Sequence, residues 1–419
     1  MEAFRIRGGN TISGEVQADG AKNAALPLLA ATLLTGQPCT IGRVPDLADV
    51  RTMRSLLTAL GTTVEANGAT VALQTPNITS TEAPYDLVKT MRASILVLGP
   101  LLARTGEARV SLPGGCAIGA RPISLHLEGL ARMGAEIKIE HGYVVAKAKK
   151  LTGCRLYLDF PTVTGTMNLM MAATLADGVM IIENAACEPE VKDLADFLIR
   201  MGARIDGAGT DRLVIEGVPA LSGAHHAMIP DRIEVGTLML AAAITRGDVT
   251  VTGLHPAHLE ALIQKLREAG ATVDVTGDSI RTRASGKLHA VSIRTLPHPG
   301  FPTDLQAQFM ALMTVTEGMG IVTETIFESR FTHVAEYARM GANIRLEGQN
   351  AIVTGMDGLS GAEVMATDLR ASAGLVLAGL VADGETLVRR IYHLDRGYEK
   401  LEQKLGSLGA DVARVTMAG

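Results

Sequence analysis

A single cysteine in a glycine-rich run is where this chain first offers chemistry. In Ser111-Leu-Pro-Gly-Gly-Cys-Ala-Ile-Gly-Ala-Arg-Pro122, three glycines and two prolines surround Cys116. That composition makes a loop whose backbone a ligand can approach closely. Arg121, five residues on, favours the thiolate. Cys116 is therefore either an activated thiol or an inert cysteine in a turn. A second cluster, Gly20-Ala-Lys-Asn-Ala-Ala-Leu-Pro27, places Lys22 and Asn23 at the mouth of an apolar helix. Free amides and the helix dipole favour anions there; the alternative is an ordinary cap with a solvated lysine. A third segment, Thr295 to Gln308, uses Pro297, Pro299, Gly300 and Pro302 as a stiff connection that delivers Asp304 to a helix start. A carboxylate held there beside arginines suits a general base, and Asp is equally at home as an N-cap. Arg92, Arg330, Arg370 and Arg396 lie at element ends. One such arginine is usually a solvated charge; several at equivalent ends point to an anionic ligand, since guanidinium grips carboxylate and phosphate bidentately.

Other chemistries find little support. The ten histidines show no metal-ligand spacing, so no metal is expected. The Gly-Gly-Cys-Ala-Ile-Gly run lacks the strand, helix and following acidic residue of a dinucleotide fingerprint, and no P-loop occurs. A net charge of −5 and 3% aromatic residues give no reason to expect nucleic acid or an anionic membrane as partner. Cys39, Cys116, Cys154 and Cys187 are too scattered for a disulfide framework or zinc knuckle, which suggests a reducing cytoplasm. Cys39 and Cys154 sit in strand-like apolar contexts and read as structural. The longest nearly apolar stretches, Ala24 to Leu34 and Ala371 to Ala382, fall short of the ~18–20 residues of a membrane helix. The N-terminus carries no signal-peptide pattern.

The elements that must position these residues repeat. A Gly followed by a small residue, a variable one and Val or Ile closes a leucine-rich helical pattern at Gly61, Gly134, Gly202, Gly270, Gly341 and Gly409, spaced 68 to 73 residues apart. Gly36, Gly106, Gly178, Gly247, Gly318 and Gly384 keep the same step, each ending an Ala/Leu/Met-rich segment. Two markers in phase define six units. In each, a helix apolar all round, such as Asn168 to Ala176, is expected to be buried and to end in a left-handed glycine cap. A β-branched run such as Val249 to Val251 follows, then an amphipathic helix such as His258 to Glu268. Two short strands, such as Ala271 to Val275 and Ser279 to Thr282, complete a β-α-β-α-β-β-like unit. The chain's natural break lies at Ala227 to Asp231. The first ~20 residues read as a strand pair, Phe4 to Ile6 and Ser13 to Gln17, able to complete a unit begun at the far C-terminus.

With these motifs the chain resembles the enolpyruvyl transferases, specifically the UDP-N-acetylglucosamine 1-carboxyvinyltransferase family. The resemblance spans nearly the whole chain through Gly20-Ala-Lys-Asn-Ala-Ala-Leu-Pro, Tyr85-Asp-Leu-Val-Lys-Thr-Met-Arg-Ala-Ser, Leu112-Pro-Gly-Gly-Cys-Ala-Ile-Gly-Ala-Arg-Pro, Pro302-Thr-Asp-Leu-Gln-Ala-Gln and Thr367-Asp-Leu-Arg-Ala-Ser. It implies an α/β fold of two inside-out domains, each of three pseudo-symmetric units, one spanning 22–229 and the other 1–21 plus 230–419. The active site would lie in the cleft between them. It further implies that Lys22, Arg121 and Arg396, with Asn23, hold the phosphate of phosphoenolpyruvate, and that Arg330 and Arg370 lie near its carboxylate. Asn23, Arg92, Arg121, Pro122, Ser124, Leu125, His126, Thr162, Val163, Asp304 and Ile326 would line the UDP-N-acetylglucosamine site. Asp304 would take the proton of the sugar 3′-hydroxyl as its oxygen attacks C2. Cys116 would serve proton transfer at C3 or product release. A tetrahedral adduct would then eliminate phosphate. No cofactor is implied; the family opens peptidoglycan precursor synthesis, serving cell shape and division, and is the target of fosfomycin.

The chain departs from the family at Thr162-Val-Thr-Gly-Thr166, where many members read Ser-Val-Gly-Ala-Thr, and at Phe160, where some carry a basic residue. Ser124 replaces an acidic residue of some members. These changes bear on uridine contacts and leave the reacting groups intact. Two rivals remain: a shikimate 3-phosphate enzyme, which should lack the Cys116 loop, and a catalytically silent paralogue that only binds the sugar nucleotide. The sequence does not specify an oligomeric state.

Overall fold

All six glycines of the Gly-x-x-Val/Ile marker have positive φ, from 87° to 108°. An L side chain is strained in that conformation, so the glycine ends the amphipathic helix and starts the next strand. The structure is a computed structural model that describes residues 2–89, 91–112 and 123–417. Of the second glycine marker, Gly106, Gly178, Gly318 and Gly384 are left-handed, as the cap reading requires. Gly247 is not: Arg246 takes the left-handed turn at φ 55° instead. Gly247 is small for a steric reason, since a Cβ there would stand 2.2 Å from the Ile12 carbonyl oxygen. Gly36 is likewise outside the positive-φ set, and a Cβ would press on Arg104 and Pro76.

The chain divides into two compact units. One comprises the described residues from Gly20 to Ile229; the other comprises those up to Asp19 together with those from Pro230 onward. They are called the Lys22 unit and the Asp304 unit below.

Each unit is built around three buried helices. In the Lys22 unit these are Lys22–Ala31, Leu98–Thr105 (entered through the 3₁₀ turn Arg92–Val97) and Val163–Ala173. In the Asp304 unit they are Arg232–Ile244, Gln306–Met313 (entered through Thr303–Leu305) and Leu369–Gly379. Their apolar character all round makes burial on every side favourable, at roughly 1.5–3 kcal/mol per Leu or Met. The third helix begins at Val163, five residues before the expected Asn168, because Thr162 caps it, accepting from Gly165 N at 3.3 Å.

Among the described residues, six four-stranded sheets surround these helices, three to a unit. Each consists of one parallel pair and a run of antiparallel neighbours, as in His225–Ala227, Cys39–Gly42, Thr70–Gln74 and Thr63–Asn67. Amphipathic helices such as Ala48–Ala59, Pro189–Arg200 and Glu260–Glu268 complete the repeats. The last is shorter than the expected His258 to Glu268, because Pro256–Leu259 forms a 3₁₀ turn before it.

The N-terminal strands correct one expectation. Glu2–Arg7 and Ser13–Gln17 do not pair with each other. Glu2–Arg7 lies between Glu385–Arg389 and Asp411–Thr416, antiparallel to both, with Phe4 opposite Val388 and Arg414. Ser13–Gln17 runs parallel to Asp248–Thr252 in a different sheet. The separation occurs at Gly8 and Gly9. A Cβ on Gly8 would stand 2.2 Å from the Ala382 oxygen, and Gly9 N–H donates to Leu380 O at 2.9 Å. These contacts hold the turn against the unit's own core, so the strands cannot fold back into a hairpin.

Candidate functional site

Apart from Arg104, every charged residue within the six buried α-helices lies in a first turn: Lys22, Arg232, Glu234 and Arg370. Arg104 is satisfied by the carbonyls of Leu33, Thr35, Thr75 and Pro76 at 2.6 to 3.0 Å. Charge is therefore concentrated where helix N-termini already favour anions.

In the Lys22 unit, Lys22 is no solvated cap. Its Nζ lies 2.7 Å from Asp49 Oδ2, and both side chains are largely buried. An ammonium leaves water only when paired in this way. Asn23, at the second position of the same helix, is half-buried, and Arg92 opens the 3₁₀ turn Arg92–Val97. His126 is buried beneath these ends. Its Nδ1 lies 3.1 Å from Asn168 Nδ2 and its Nε2 3.3 Å from Thr164 Oγ1. Burial, then the neighbouring charge of Arg92, lowers its pKa to about 4, so it is neutral at pH 7. Thr162 and Val163, at the start of the third helix, are half-buried, as is Leu125, while Ser124 is exposed. Cys116, Arg121 and Pro122 lie outside the described residues.

In the Asp304 unit, Asp304 sits in the short turn Thr303–Leu305 that leads into the helix Gln306–Met313. Its carboxylate is bracketed by two guanidiniums. Arg330 Nη2 donates to Oδ1 at 2.9 Å and Arg370 Nη2 to Oδ2 at 2.8 Å. Burial alone would raise the Asp304 pKa. Arg370 and Arg330 outweigh it and hold the group well below the ordinary carboxylate range. Asp368 caps the separate helix Leu369–Gly379, its Oδ1 accepting from Arg370 N and Ala371 N at 2.8 and 3.1 Å.

Both arginines are also held from behind. Arg330 Nη1 donates to Thr303 Oγ1 at 2.8 Å, and that hydroxyl donates to Glu324 Oε2 at 2.8 Å. Glu324 Oε1 accepts from Thr295 Oγ1, Ile326 N and Phe327 N at 2.8 to 3.1 Å, which fixes the half-buried Ile326. Arg370 Nη1 reaches Tyr398 Oη at 3.5 Å. Thr237 gives its proton to Ile233 O at 2.8 Å, so Tyr398 must be the donor in the 2.9 Å bond between the two hydroxyls. Gln308 Nε2 donates to Tyr398 Oη and to Asp304 O. Asp231, the N-cap of the neighbouring buried helix, adds its charge at Arg370. The three helix N-termini of this unit thus share one end. Arg396, half-buried, closes the 3₁₀ turn Ile391–Arg396.

The structure therefore brings Asp304, Arg330 and Arg370 into direct contact. It places Ile326 on the same hydrogen-bond network and puts Lys22, Asn23, Arg92, Thr162 and Val163 at helix starts of the other unit. Sequence reasoning gave no role to Asp49, Thr303, Glu324, Asp368 or Tyr398. Asp368 stood inside the quoted Thr-Asp-Leu-Arg-Ala-Ser motif, where its spacing before Arg370 is a cap signal; the others carry no local signature. Among the described residues no group of three or more His, Cys, Asp or Glu side chains is placed to hold a metal ion. No helix there is long and apolar enough to cross a membrane.

Residues 6–405 match the EPSP synthase (3-phosphoshikimate 1-carboxyvinyltransferase) family. A UDP-N-acetylglucosamine 1-carboxyvinyltransferase of Desulfosudis oleivorans is 57% identical over 416 residues, covering 99% of this chain and all of the relative. Among solved structures, the enolpyruvyl transferase NikO of Streptomyces tendae superposes with a TM-score of 0.90 at 26% identity, covering 100% of this chain and 99% of that one. An EPSP synthase of Acinetobacter baumannii superposes with a TM-score of 0.77 at 16% identity, covering 99% of this chain and 100% of its own; that likeness concerns the fold alone.

Proposed function

Because the chain belongs to the EPSP synthase family, the enolpyruvyl transferases, we propose that it moves the enolpyruvyl group of phosphoenolpyruvate onto the 3′-hydroxyl of UDP-N-acetylglucosamine. The observation that carries this reading is the buried guanidinium pair of Arg330 and Arg370 around Asp304. It combines cations able to hold a carboxylate with a carboxylate able to hold a proton. The high identity to a sugar-nucleotide enzyme across the full length favours that acceptor over shikimate 3-phosphate.

In this reading Arg330 and Arg370 take the donor's carboxylate, while Lys22, Asn23, Arg121 and Arg396 take its phosphate. Arg92, Arg121, Pro122, Ser124, Leu125, Thr162, Val163 and Ile326, backed by His126, receive the sugar nucleotide. The acceptor oxygen attacks C2 as its proton passes to Asp304 and C3 gains a proton, giving a tetrahedral adduct. Loss of a C3 proton then re-forms the C2–C3 double bond and expels phosphate with its bridging oxygen. Cys116 serves the C3 proton transfers or product release. Fixed cations steady charge as C2 becomes tetrahedral. The two compact units serve as the two domains of the enzyme, which acts in the cytoplasm at the opening of peptidoglycan synthesis.

Phosphate release tests the proposal. Release should require phosphoenolpyruvate and UDP-N-acetylglucosamine together. Release with shikimate 3-phosphate in place of the sugar nucleotide would reassign the enzyme, and none with any acceptor would favour a silent paralogue.

A further inference from the structure

The carboxylate assigned as the base is already engaged in this structure. Both of its oxygens accept from guanidiniums, Arg330 at 2.9 Å and Arg370 at 2.8 Å. The arginine side chains are only 4% exposed, whereas that of Asp304 keeps 26% of its surface open. A carboxylate in this position is a poor proton acceptor, since protonation would leave two buried cations facing a neutral group. The two arginines are anchored from behind as well. Arg330 is fixed through Thr303 to Glu324, and Arg370 approaches Tyr398, so both guanidiniums stay in place whichever anion they face. Asp304 is the more exposed member of the group.

We propose that Asp304 is an internal stand-in for the donor's carboxylate: phosphoenolpyruvate takes over the Nη2 donors of Arg330 and Arg370, and only that exchange releases Asp304 to act as base. The inference rests on the proposed transferase reading and adds what switches its base on. The exchange conserves charge around the arginines, because one carboxylate replaces another. Freed from them, Asp304 moves toward an ordinary carboxylate pKa and can take the acceptor's proton as the oxygen–C2 bond forms. Until the donor is bound, the hydroxyl has no competent base, so activation is tied to occupancy of the donor site.

Asp304→Asn separates this idea from a plain base role. It removes the competing charge while nearly preserving size. Phosphoenolpyruvate, titrated calorimetrically at pH 7, should bind the variant at least about 10-fold more tightly than the unsubstituted protein, while turnover falls about 100-fold or more. Lost turnover with unchanged or weaker donor binding overturns the stand-in and leaves the base. Unchanged turnover overturns the base reading and the inference with it. A second measurement needs no variant: the carboxyl carbon of ¹³C-labelled Asp304, titrated by NMR, should show a higher pKa when phosphoenolpyruvate saturates the protein. A pKa that stays put or falls refutes the exchange.

Discussion

Glu324 is the residue whose replacement most sharply tests how the Asp304 site is held. Its side chain is buried, and it accepts two backbone N–H groups, from Ile326 and Phe327, and two hydroxyls, from Thr295 and Thr303. Glu324→Ala leaves those donors without this acceptor. The hydroxyls can turn, Thr295 towards Thr323 O at 3.5 Å, but the two amides cannot. At roughly 1–3 kcal/mol for each orphaned buried donor, with cavity loss added, the Ala variant should cost about 4 kcal/mol. That corresponds to about 8–16 °C in melting temperature for a body of this size. Glu324→Gln keeps one oxygen for Thr295, Ile326 and Phe327 and turns an amide towards Thr303 Oγ1, which already accepts from Arg330. Only the Thr303 proton loses its acceptor, so this variant should cost about 1 kcal/mol. Its kinetic effect should be specific: Thr303 and Arg330 shift, and the KM for phosphoenolpyruvate rises about 10-fold with little change in that for the sugar nucleotide. Thermal melts and steady-state kinetics on both variants provide the check. An Ala variant within about 1 kcal/mol of the unsubstituted protein refutes the reasoning. So does a Gln variant as damaged as the Ala one, which would make charge, rather than acceptor geometry, the governing quantity.

Other predictions concern acid, backbone and thiol. His126 and His333 are buried, with pKa values lowered to about 4 by burial first. The unfolded chain therefore binds more protons between pH ~6.5 and 4, and stability should fall across that window by up to about 3 kcal/mol per histidine. Melts that stay level from pH 7 to 4 contradict it. Gly202, at φ 101° with open space around a Cβ, should lose about 1–2 kcal/mol as Ala, with activity kept. Gly374→Ala should cost more and impair turnover, because the new Cβ would meet Tyr337 Oη at 2.1 Å and the Ala307 backbone at 3.1 Å. That contact pries the Arg370 helix from the one entered at Asp304; equal melts for the two glycine variants would count against it. Fosfomycin should label Cys116 alone. Burial raises the pKa of Cys39, Cys154 and Cys187, which keeps those thiols protonated at neutral pH. A peptide map placing the adduct on any of those three would defeat the assignment.

Much of this architecture was legible because it is local and repeated. A left-handed glycine after an amphipathic helix announces itself in sequence, and all six were found by type and spacing. Helices apolar all round can only be buried, so the helical cores followed from composition. The Glu2–Arg7 and Ser13–Gln17 strands show the limit. Their alternation marks strands, but partners hundreds of residues away are chosen by the close approach of Gly8 to Ala382, which no window contains. Asp304 could be named while its state could not: base and N-cap are both natural for an Asp at a helix start. Only the positions of Arg330 and Arg370, 26 and 66 residues on, show that its carboxylate pairs with two guanidiniums. Glu324 and Tyr398 escaped for the same reason, since their importance lies in which distant donors they gather.

The central claim is a chemical transfer, and mass spectrometry of the acceptor tests it most directly. With phosphoenolpyruvate, UDP-N-acetylglucosamine and shikimate 3-phosphate mixed in equal amounts, the sugar nucleotide alone should gain the mass of an enolpyruvyl group, matched by an equal yield of phosphate. An enolpyruvyl group found on the shikimate, or phosphate formed with neither acceptor changed in mass, would contradict the account.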